Sequence, residues 1–115
     1  MKSIQIDRSK SLIEEPEKGH NRFHPDIPPV IEVEQGEEVV LETRSAADNQ
    51  LKRSSTALDL LATSPNRAHP LTGPVYVKGA EAGDLLEIEF LDIAPADWAF
   101  TGIRPGRGYL KGDFT

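Results

Sequence analysis

The sequence contains no cysteine among its 115 residues. This absence excludes disulfide bonds, thiol nucleophiles and zinc sites with thiolate ligands, and it fits a protein of the reducing cytoplasm. Long apolar runs are also absent, so no segment is expected to span a bilayer. The first seven residues lack the apolar core of a secretory signal, which predicts that the chain carries none.

Basic residues are in the minority, with 13 lysines and arginines against 19 aspartates and glutamates and a net charge of −6. Residues 1–57 carry 8 basic and 11 acidic side chains and residues 58–115 carry 5 and 8, so each half has a charge of −3. No basic block is present to replace the counterions of a nucleic acid, so nucleic-acid binding is not expected. The even spread predicts a solvated acidic surface.

Aromatic residues are few, with four phenylalanines, two tyrosines and one tryptophan beside nine glycines and nine prolines. A chain of this length predicts a single β-rich domain over residues 1–115, burying roughly 65% of the surface that its unfolded form exposes. Two possibilities follow: the chain folds around a modest core, or it needs a partner surface to complete that core. An uncovered apolar sheet face would favour self-association, so a homo-oligomer is expected.

Alternating apolar and polar residues predict a mainly β fold, either a β-sandwich or an open, barrel-like β domain with one short helix. The predicted strands are at residues 3–6, 31–34, 39–43 and 75–77, with the longest β-pattern at 85–93. The second and third strands flank Gly36, which predicts a hairpin or a β-arch with this glycine at positive φ. The proline-bearing stretch 14–29 is predicted to be irregular.

Residues 54–62 contain the pattern of a short helix, with leucine, leucine and alanine at positions i, i+3 and i+4. Ser54 or Ser55 is the predicted cap, and Pro65 follows the end. A helix of at most about three turns is marginal by itself, so it is expected to dock on another element.

A weak repeat relates the turn at Gly36 to the turn at Gly83. In residues 34–42 and 81–89, an acidic residue, a glycine and a second acidic residue precede an apolar strand pattern. Internal duplication and the common composition of turns before strands both explain this similarity. Two copies are too few for a solenoid array.

Histidines are the first candidates for chemistry. His20 and His24 have the i, i+4 spacing of a metal pair on a helix, but Pro25 argues against a helix and makes exposed loop histidines the simpler interpretation. His69 lies between the predicted helix and a strand, and Pro70 is expected to hold its backbone extended. A fixed imidazole suits a metal ligand or a general base, with a turn-capping histidine as the alternative.

The polar loop after the strand at 39–43 contains two further candidates. Asp48 could supply a hard oxygen ligand to a divalent cation, and Gln50 could donate to a substrate carbonyl. An Asx-type turn explains the same residues without a site. The glycine-rich stretch 102–112 lacks the pattern of a Walker A loop, and the chain has no Gly-x-Ser-x-Gly elbow.

The segment 69–87, rich in glycine and proline at set places, resembles the acetamidase/formamidase family, as do residues 20–30, 33–37 and 93–98. The resemblance covers nearly the whole chain, but it corresponds to the N-terminal part of family members, and their later motifs have no counterpart here. It implies a β-rich fold and hydrolysis of a short linear amide, formamide or acetamide, to a carboxylate and ammonia. It also implies a partner, either a missing C-terminal portion or a companion chain.

The resemblance further implies a divalent cation, zinc or calcium, that lowers the pKa of a bound water and polarises the amide carbonyl. Asp48 and His69 are then the expected metal ligands and catalytic residues, and Gln50 is the expected substrate contact. Many relatives have a glycine before this glutamine, where the present chain has Asn49. The alternative is a non-catalytic β-rich module, derived from the same family, that binds a partner or small ligand.

Overall fold

The computed structural model describes residues 1–113, and these residues are mainly β with one short helix and no closed barrel, which confirms the predicted fold class. The strands are β1 (Lys2–Ile4), β2 (Gly19–His20), β3 (Ile31–Val33), β4 (Val39–Leu41), β5 (Leu71–Thr72) and β6 (Val75–Val77). The helix α1 spans Ala57–Leu61, and two 3-10 turns span Pro16–Lys18 and Pro65–Arg67. Among the described residues, no helix has the length and apolar character needed to cross a membrane.

The strands pair as three two-stranded sheets, and the pairings connect distant parts of the chain. β1 with β4 and β3 with β6 are parallel, whereas β2 with β5 is antiparallel. The registers align Lys2 with Val39, Ile31 with Val75 and Gly19 with Thr72. Because β3 and β4 have different partners, the turn between them is a β-arch. Gly36 in this turn has the predicted positive φ, at 79°.

The apolar core of the described residues is small. Its buried side chains are Ile4, Leu12, Val33 and Leu51. Two acidic residues, Glu15 and Asp48, are buried as well. Since carboxylates are stable inside a protein only when they are paired or hydrogen-bonded, the loops around them have to supply polar partners.

A buried ion pair joins the loop after β1 to the end of β4. Arg44 Nη2 lies 3.4 Å from Glu15 Oε1, and the two side chains are 4% and 5% exposed. The two Glu15 oxygens also lie 3.2 Å and 3.3 Å from the Asp7 backbone nitrogen, which donates to them, and Oε1 lies 3.5 Å from Lys18 Nζ. The carboxylate therefore connects its own segment to Asp7 and to Arg44. Either member of the ion pair alone would be an uncompensated buried charge.

The helix is shorter than predicted, and its apolar side chains are largely exposed. Its N-cap is Thr56, whose N–H donates to Asp59 Oδ2 at 2.7 Å, so the predicted serine caps are wrong. Leu58 and Leu61 are 76% and 47% exposed. The predicted apolar face is therefore not covered in the described residues, and the helix instead meets the segment 102–104, where Gly102 lies against Leu60 and Arg104 Nη2 donates to the Leu61 carbonyl at 3.3 Å.

The prediction of a strand at residues 85–93 is wrong for the described structure. This segment pairs with no other strand of residues 1–113. Its alternating pattern is present in the sequence, but a strand forms only where a neighbour completes the ladder of backbone hydrogen bonds. The two copies of the repeat therefore differ in structure: the segment after Gly36 forms the paired strand β4, whereas the segment after Gly83 is unpaired in the described residues.

Gly19 lies where β2 meets β5, and the space around it predicts a stability effect. Its backbone is extended, with φ −171°, but an added Cβ would lie 2.5 Å from the Leu71 carbonyl oxygen and 3.0 Å from Leu12 Cδ1. A contact with backbone cannot be relieved by side-chain rotation, so Gly19→Ala is expected to destabilise the fold by roughly 1–3 kcal/mol. Gly112→Ala is the control, because its added Cβ meets no atom within 4 Å. Urea unfolding measures both, and equal midpoints would contradict the expected clash.

Candidate functional site

The loop after β4 holds Asp48 in a buried, left-handed backbone conformation. Asp48 has φ 50° and Asn49 has φ 65°. Aspartate and asparagine adopt this conformation more readily than most residues, because their short polar side chains bond locally. The Asp48 N–H donates to the Ser45 carbonyl at 2.9 Å, and the Asn49 N–H donates to the Ser45 hydroxyl at 3.0 Å. The predicted polar turn is present, and it buries the Asp48 side chain completely.

The two carboxylate oxygens of Asp48 have different surroundings. Oδ2 accepts the Leu12 N–H at 2.9 Å and lies 3.8 Å from Arg67 Nε. Arg67 Nη2 also donates to the Asp48 carbonyl at 2.9 Å. Oδ1 is buried and has no hydrogen-bond partner among the described residues. Buried polar atoms are normally paired, so this oxygen, like the buried Nε of Arg67, has room for a further partner such as a water molecule or an ion.

His69 lies on the loop beside Asp48. Its φ is 55°, so the extended backbone expected before Pro70 is wrong. The reason is tertiary: the His69 N–H donates to the Ala46 carbonyl at 2.7 Å, two residues before Asp48. The structure therefore brings the loops of both predicted residues together, with the His69 imidazole exposed. Their side chains make no direct hydrogen bond or ion pair within residues 1–113.

Left-handed backbone at residues other than glycine is concentrated on these two loops. In the described chain it occurs at Asp48, Asn49 and His69. Each such residue costs of order 1–3 kcal/mol and persists only where its surroundings impose it. Strained residues of this kind cluster at active sites and ligand clamps. Their position supports a functional role for the pair of loops, which we call the candidate site.

The amide of Gln50 is used within the protein. Its Nε2 donates to the Ala47 carbonyl at 2.9 Å and to the Ser64 carbonyl at 3.3 Å, and its Oε1 accepts the Ser64 N–H at 2.6 Å. These bonds fasten the loop after β4 to the segment after α1. A contact with substrate would have to replace one of them, so the substrate role of Gln50 stays a prediction.

An open groove of about 580 Å³ runs beside the candidate site. Asn49 and Arg67 form part of its wall, and Trp98 contributes an aromatic ring. Its charged lining residues are Arg8, Lys10, Glu14, Lys52, Arg53 and Arg67. Even with Arg53 paired to Asp97 and Arg67 to Asp48, cations outnumber carboxylates here, so a metal near Asp48 would depend on further acidic ligands.

Asp48 and His69 fit a metal site only as part of a larger set of ligands. A carboxylate oxygen and an imidazole nitrogen are donors that zinc accepts, and calcium takes carboxylate oxygens. Structural zinc takes four ligands, however, and calcium takes six to eight. Within residues 1–113, no group of three or more histidine, aspartate or glutamate side chains is arranged to hold a metal ion.

His20 is the second residue of β2, where it pairs with Leu71, two residues after His69, whereas His24 lies on the irregular segment that follows. His20 Nδ1 is 2.8 Å from the Arg22 carbonyl, and His24 Nδ1 accepts the Asp26 N–H at 3.1 Å. Both rings line a separate, shallow pocket of about 450 Å³ together with Phe23. His24 is exposed on a loop, as the simpler interpretation predicts, whereas His20 is half-buried in a strand, so that interpretation is wrong for His20.

A sequence profile of the Acetamidase/Formamidase family matches residues 5–114. This chain belongs to that family. It is 37% identical to an acetamidase of Mycolicibacterium smegmatis over 93% of its own length, and 34% identical to a formamidase of Methylophilus methylotrophus over 96%. A solved structure, the gamma lactamase from Delftia acidovorans, superposes with a TM-score of 0.64 and 38% identity over 70% of this chain.

The match covers a minor part of each family member. The chain spans 30% of the acetamidase, 29% of the formamidase and 20% of the gamma lactamase chain. The predicted resemblance is therefore confirmed, including its restriction to one portion of the family sequence. A site whose ligands come from several parts of an amidase would be represented here by only some of its residues.

Arg67 belongs to the candidate site, although the sequence did not indicate it as a site residue. The arginine contacts the Asp48 carbonyl and carboxylate and also lines the groove. Its place two residues before His69 was visible, but nothing local distinguishes it from a solvated surface arginine. Only the folded chain shows that it faces a carboxylate 19 residues earlier.

Two exposed groups of this family member have shifted pKa values. Hydrogen bonds from the Ser9 hydroxyl and N–H lower the pKa of Asp7, and a hydrogen bond to Glu34 raises the pKa of Lys78. The Asp7 contribution to stability is present above its unfolded pKa of 3.8 and is lost as pH falls through the lowered value. The Lys78 contribution is present below 10.5 and is lost as pH rises through the raised value.

Proposed function

We propose that this chain is the N-terminal part of an amide hydrolase that converts a short linear amide to a carboxylate and ammonia. The observation that carries the proposal is the buried, left-handed Asp48 with an unpaired carboxylate oxygen, on a loop hydrogen-bonded to that of His69. The names of the relatives, acetamidase, formamidase and gamma lactamase, all refer to amide substrates. They support formamide and acetamide as the compounds to test.

In this proposal Asp48 and His69 belong to a ligand set for zinc or calcium that residues outside this chain complete. Such a cation supplies Lewis acidity, which lowers the pKa of a bound water and polarises the amide carbonyl. The chain's own contribution is positioning. The Leu12 N–H holds Asp48 Oδ2, so Oδ1 would be the oxygen offered to the cation, and the Ala46 carbonyl holds the backbone of His69.

Gln50 has a conditional role in the same proposal. It would donate from Nε2 to the substrate carbonyl by releasing its 3.3 Å bond to the Ser64 carbonyl. The shorter bond from Nε2 to Ala47 and the bond from Ser64 to Oε1 would keep the side chain in place.

A second candidate function is a non-catalytic β-rich module of this family. The observation that favours it is the incomplete ligand set, since the described residues bring only two of the predicted donors onto neighbouring loops. A module of this kind would bind a partner or small ligand through the cationic groove and would release no ammonia.

Ammonia release from formamide and acetamide tests the proposal. The purified chain is to be assayed alone and after co-expression with the part of the M. smegmatis acetamidase outside the 30% that it matches. We expect turnover only from the combination, loss of turnover with a chelator, and recovery with zinc or calcium. A stable complex that releases no ammonia under any of these conditions would support the binding module instead.

A further inference from the structure

Residues 85–93, which we call the open strand after their alternating sequence pattern, expose apolar side chains at both sets of alternating positions. Leu86, Ile88 and Phe90 on one face are 54%, 72% and 77% exposed. Leu85 and Ile93 on the other face are 98% and 70% exposed. Soluble monomers rarely expose a contiguous apolar patch of this kind unless it binds something.

The solvent-exposed area of the whole chain also indicates that part of its surface is covered by a partner. It is 9394 Å² for 12.7 kDa, whereas a folded monomer of this mass exposes about 6,200 Å². The Cα radius of gyration of 16.7 Å likewise exceeds the value of about 13 Å for a compact chain of this length. A large apolar area therefore remains to be covered, and the open strand is its most continuous part.

The internal repeat indicates how the open strand is covered. Aligning Gly36 with Gly83 places residues 86–88 over β4. β4 lies beside the parallel strand β1 and completes its backbone hydrogen bonds there. The equivalent residues of the open strand have the same apolar pattern and no neighbour among residues 1–113. Pairing with another strand would satisfy the backbone groups and cover the apolar faces together.

Charge argues against a second copy of this chain as that neighbour. Residues 84–92 contain four acidic and no basic side chains, namely Asp84, Glu87, Glu89 and Asp92. Two copies in parallel register would place Glu87 opposite Glu87 and Glu89 opposite Glu89. Antiparallel pairing centred on residue 88 sets Glu87 opposite Glu89, and pairing centred on residue 89 sets Glu89 opposite Glu89. Like charges directly opposite destabilise a sheet, so a neighbour with basic residues at these positions is favoured over a second copy in these registers.

We infer that the open strand is an interior β-strand of the assembled amidase, paired with an apolar strand from the rest of the amidase that places lysine or arginine opposite Glu87 and Glu89. This inference rests on the proposed function only in taking the chain as part of a longer amidase. The homo-oligomer expected from composition would then use another surface.

Binding of the unmatched part of the M. smegmatis acetamidase tests this inference. The probe is the part outside the matched 30%, and the complex with the full 115-residue chain is weighed by light scattering. Ile88→Asp is expected to weaken binding by at least about tenfold, because it buries an unpaired charge. Ile13→Asp is the matched control, since Ile13 is 70% exposed and Ile88 is 72% exposed. Both variants should fold, which circular dichroism checks.

A second pair of variants tests the charge complementarity. Glu89→Lys is expected to weaken binding of the same probe, with the larger difference at low salt. Glu38→Lys makes the same exchange at an exposed position outside the open strand and is expected to leave binding unchanged.

The inference is overturned if the probe does not bind, if it binds Ile88→Asp as tightly as the unmodified chain, or if the chain alone forms a dimer that Ile88→Asp separates. Binding and ammonia release are independent readouts. A 1:1 complex that is weakened by Ile88→Asp but releases no ammonia from amides would refute the hydrolase proposal. The inference that the open strand pairs with the rest of the amidase would still stand.

Discussion

Asp48→Asn is expected to lower kcat/KM for formamide by about 10²–10⁴-fold in the assembled amidase, the range found for removal of a group that takes part in the chemistry. The asparagine keeps an oxygen that can accept the Leu12 N–H, so the loop after β4 should retain its shape. The substitution removes the charge, and with it the ion pair to Arg67, and the ligating strength of the unpaired Oδ1. Ammonia release measures the effect, and urea unfolding of the chain checks that the fold persists.

His69→Ala is expected to reduce turnover to a similar extent with little effect on stability. The His69 backbone N–H, not its ring, makes the 2.7 Å bond to Ala46, and the ring is exposed. Asp26→Asn and His24→Ala are the matched controls, because both lie on the irregular segment before β3 and are exposed. Near-normal turnover in both Asp48→Asn and His69→Ala would remove these residues from the site.

Glu15→Gln is expected to destabilise the chain by roughly 3–5 kcal/mol, because it leaves the guanidinium of Arg44 buried without its counter-charge. Arg44 and Glu15 are 4% and 5% exposed, so water does not screen the pair. The loss is large relative to a core of four buried apolar side chains. We therefore expect the variant to be partly unfolded at room temperature, with a lower urea midpoint.

Two controls separate charge burial from other causes of instability. Glu14→Gln makes the same chemical change at the neighbouring exposed residue and is expected to alter stability by less than about 0.5 kcal/mol. Replacing Glu15 and Arg44 together by methionine is expected to recover part of the loss, since neither charge then remains buried. An unfolding midpoint of Glu15→Gln equal to that of Glu14→Gln would show that the pair contributes little.

Several local features followed from the sequence because their causes lie within a few residues. The strands at 3–6, 31–34 and 75–77 appear as β1, β3 and β6, since alternating apolar residues favour an extended chain. The positive φ of Gly36 follows from the turn between two strand patterns, where a side chain would be strained. The family was recognisable from residues 69–87 for a related reason, because glycines and prolines at set places constrain the backbone locally.

Other features depended on contacts between distant residues. The backbone of His69 is left-handed despite Pro70, because a bond to Ala46 outweighs the local preference. The burial of Asp48 and its contact with Arg67 are also invisible locally, since aspartate in a polar loop equally predicts a solvated turn. The candidate residues were therefore predictable, but not their environment.

The sequence by itself determined a mainly β chain, its turns, its family and the pair of residues worth testing, because backbone preference and residue chemistry act locally. The tertiary structure alone decided that β1 pairs with β4 and β3 with β6, that Asp48 is buried, and that residues 85–93 have no neighbour in the described chain. A strand pattern states only that a segment can pair. Whether it does depends on a second segment that offers hydrogen bonds and apolar cover at the same place.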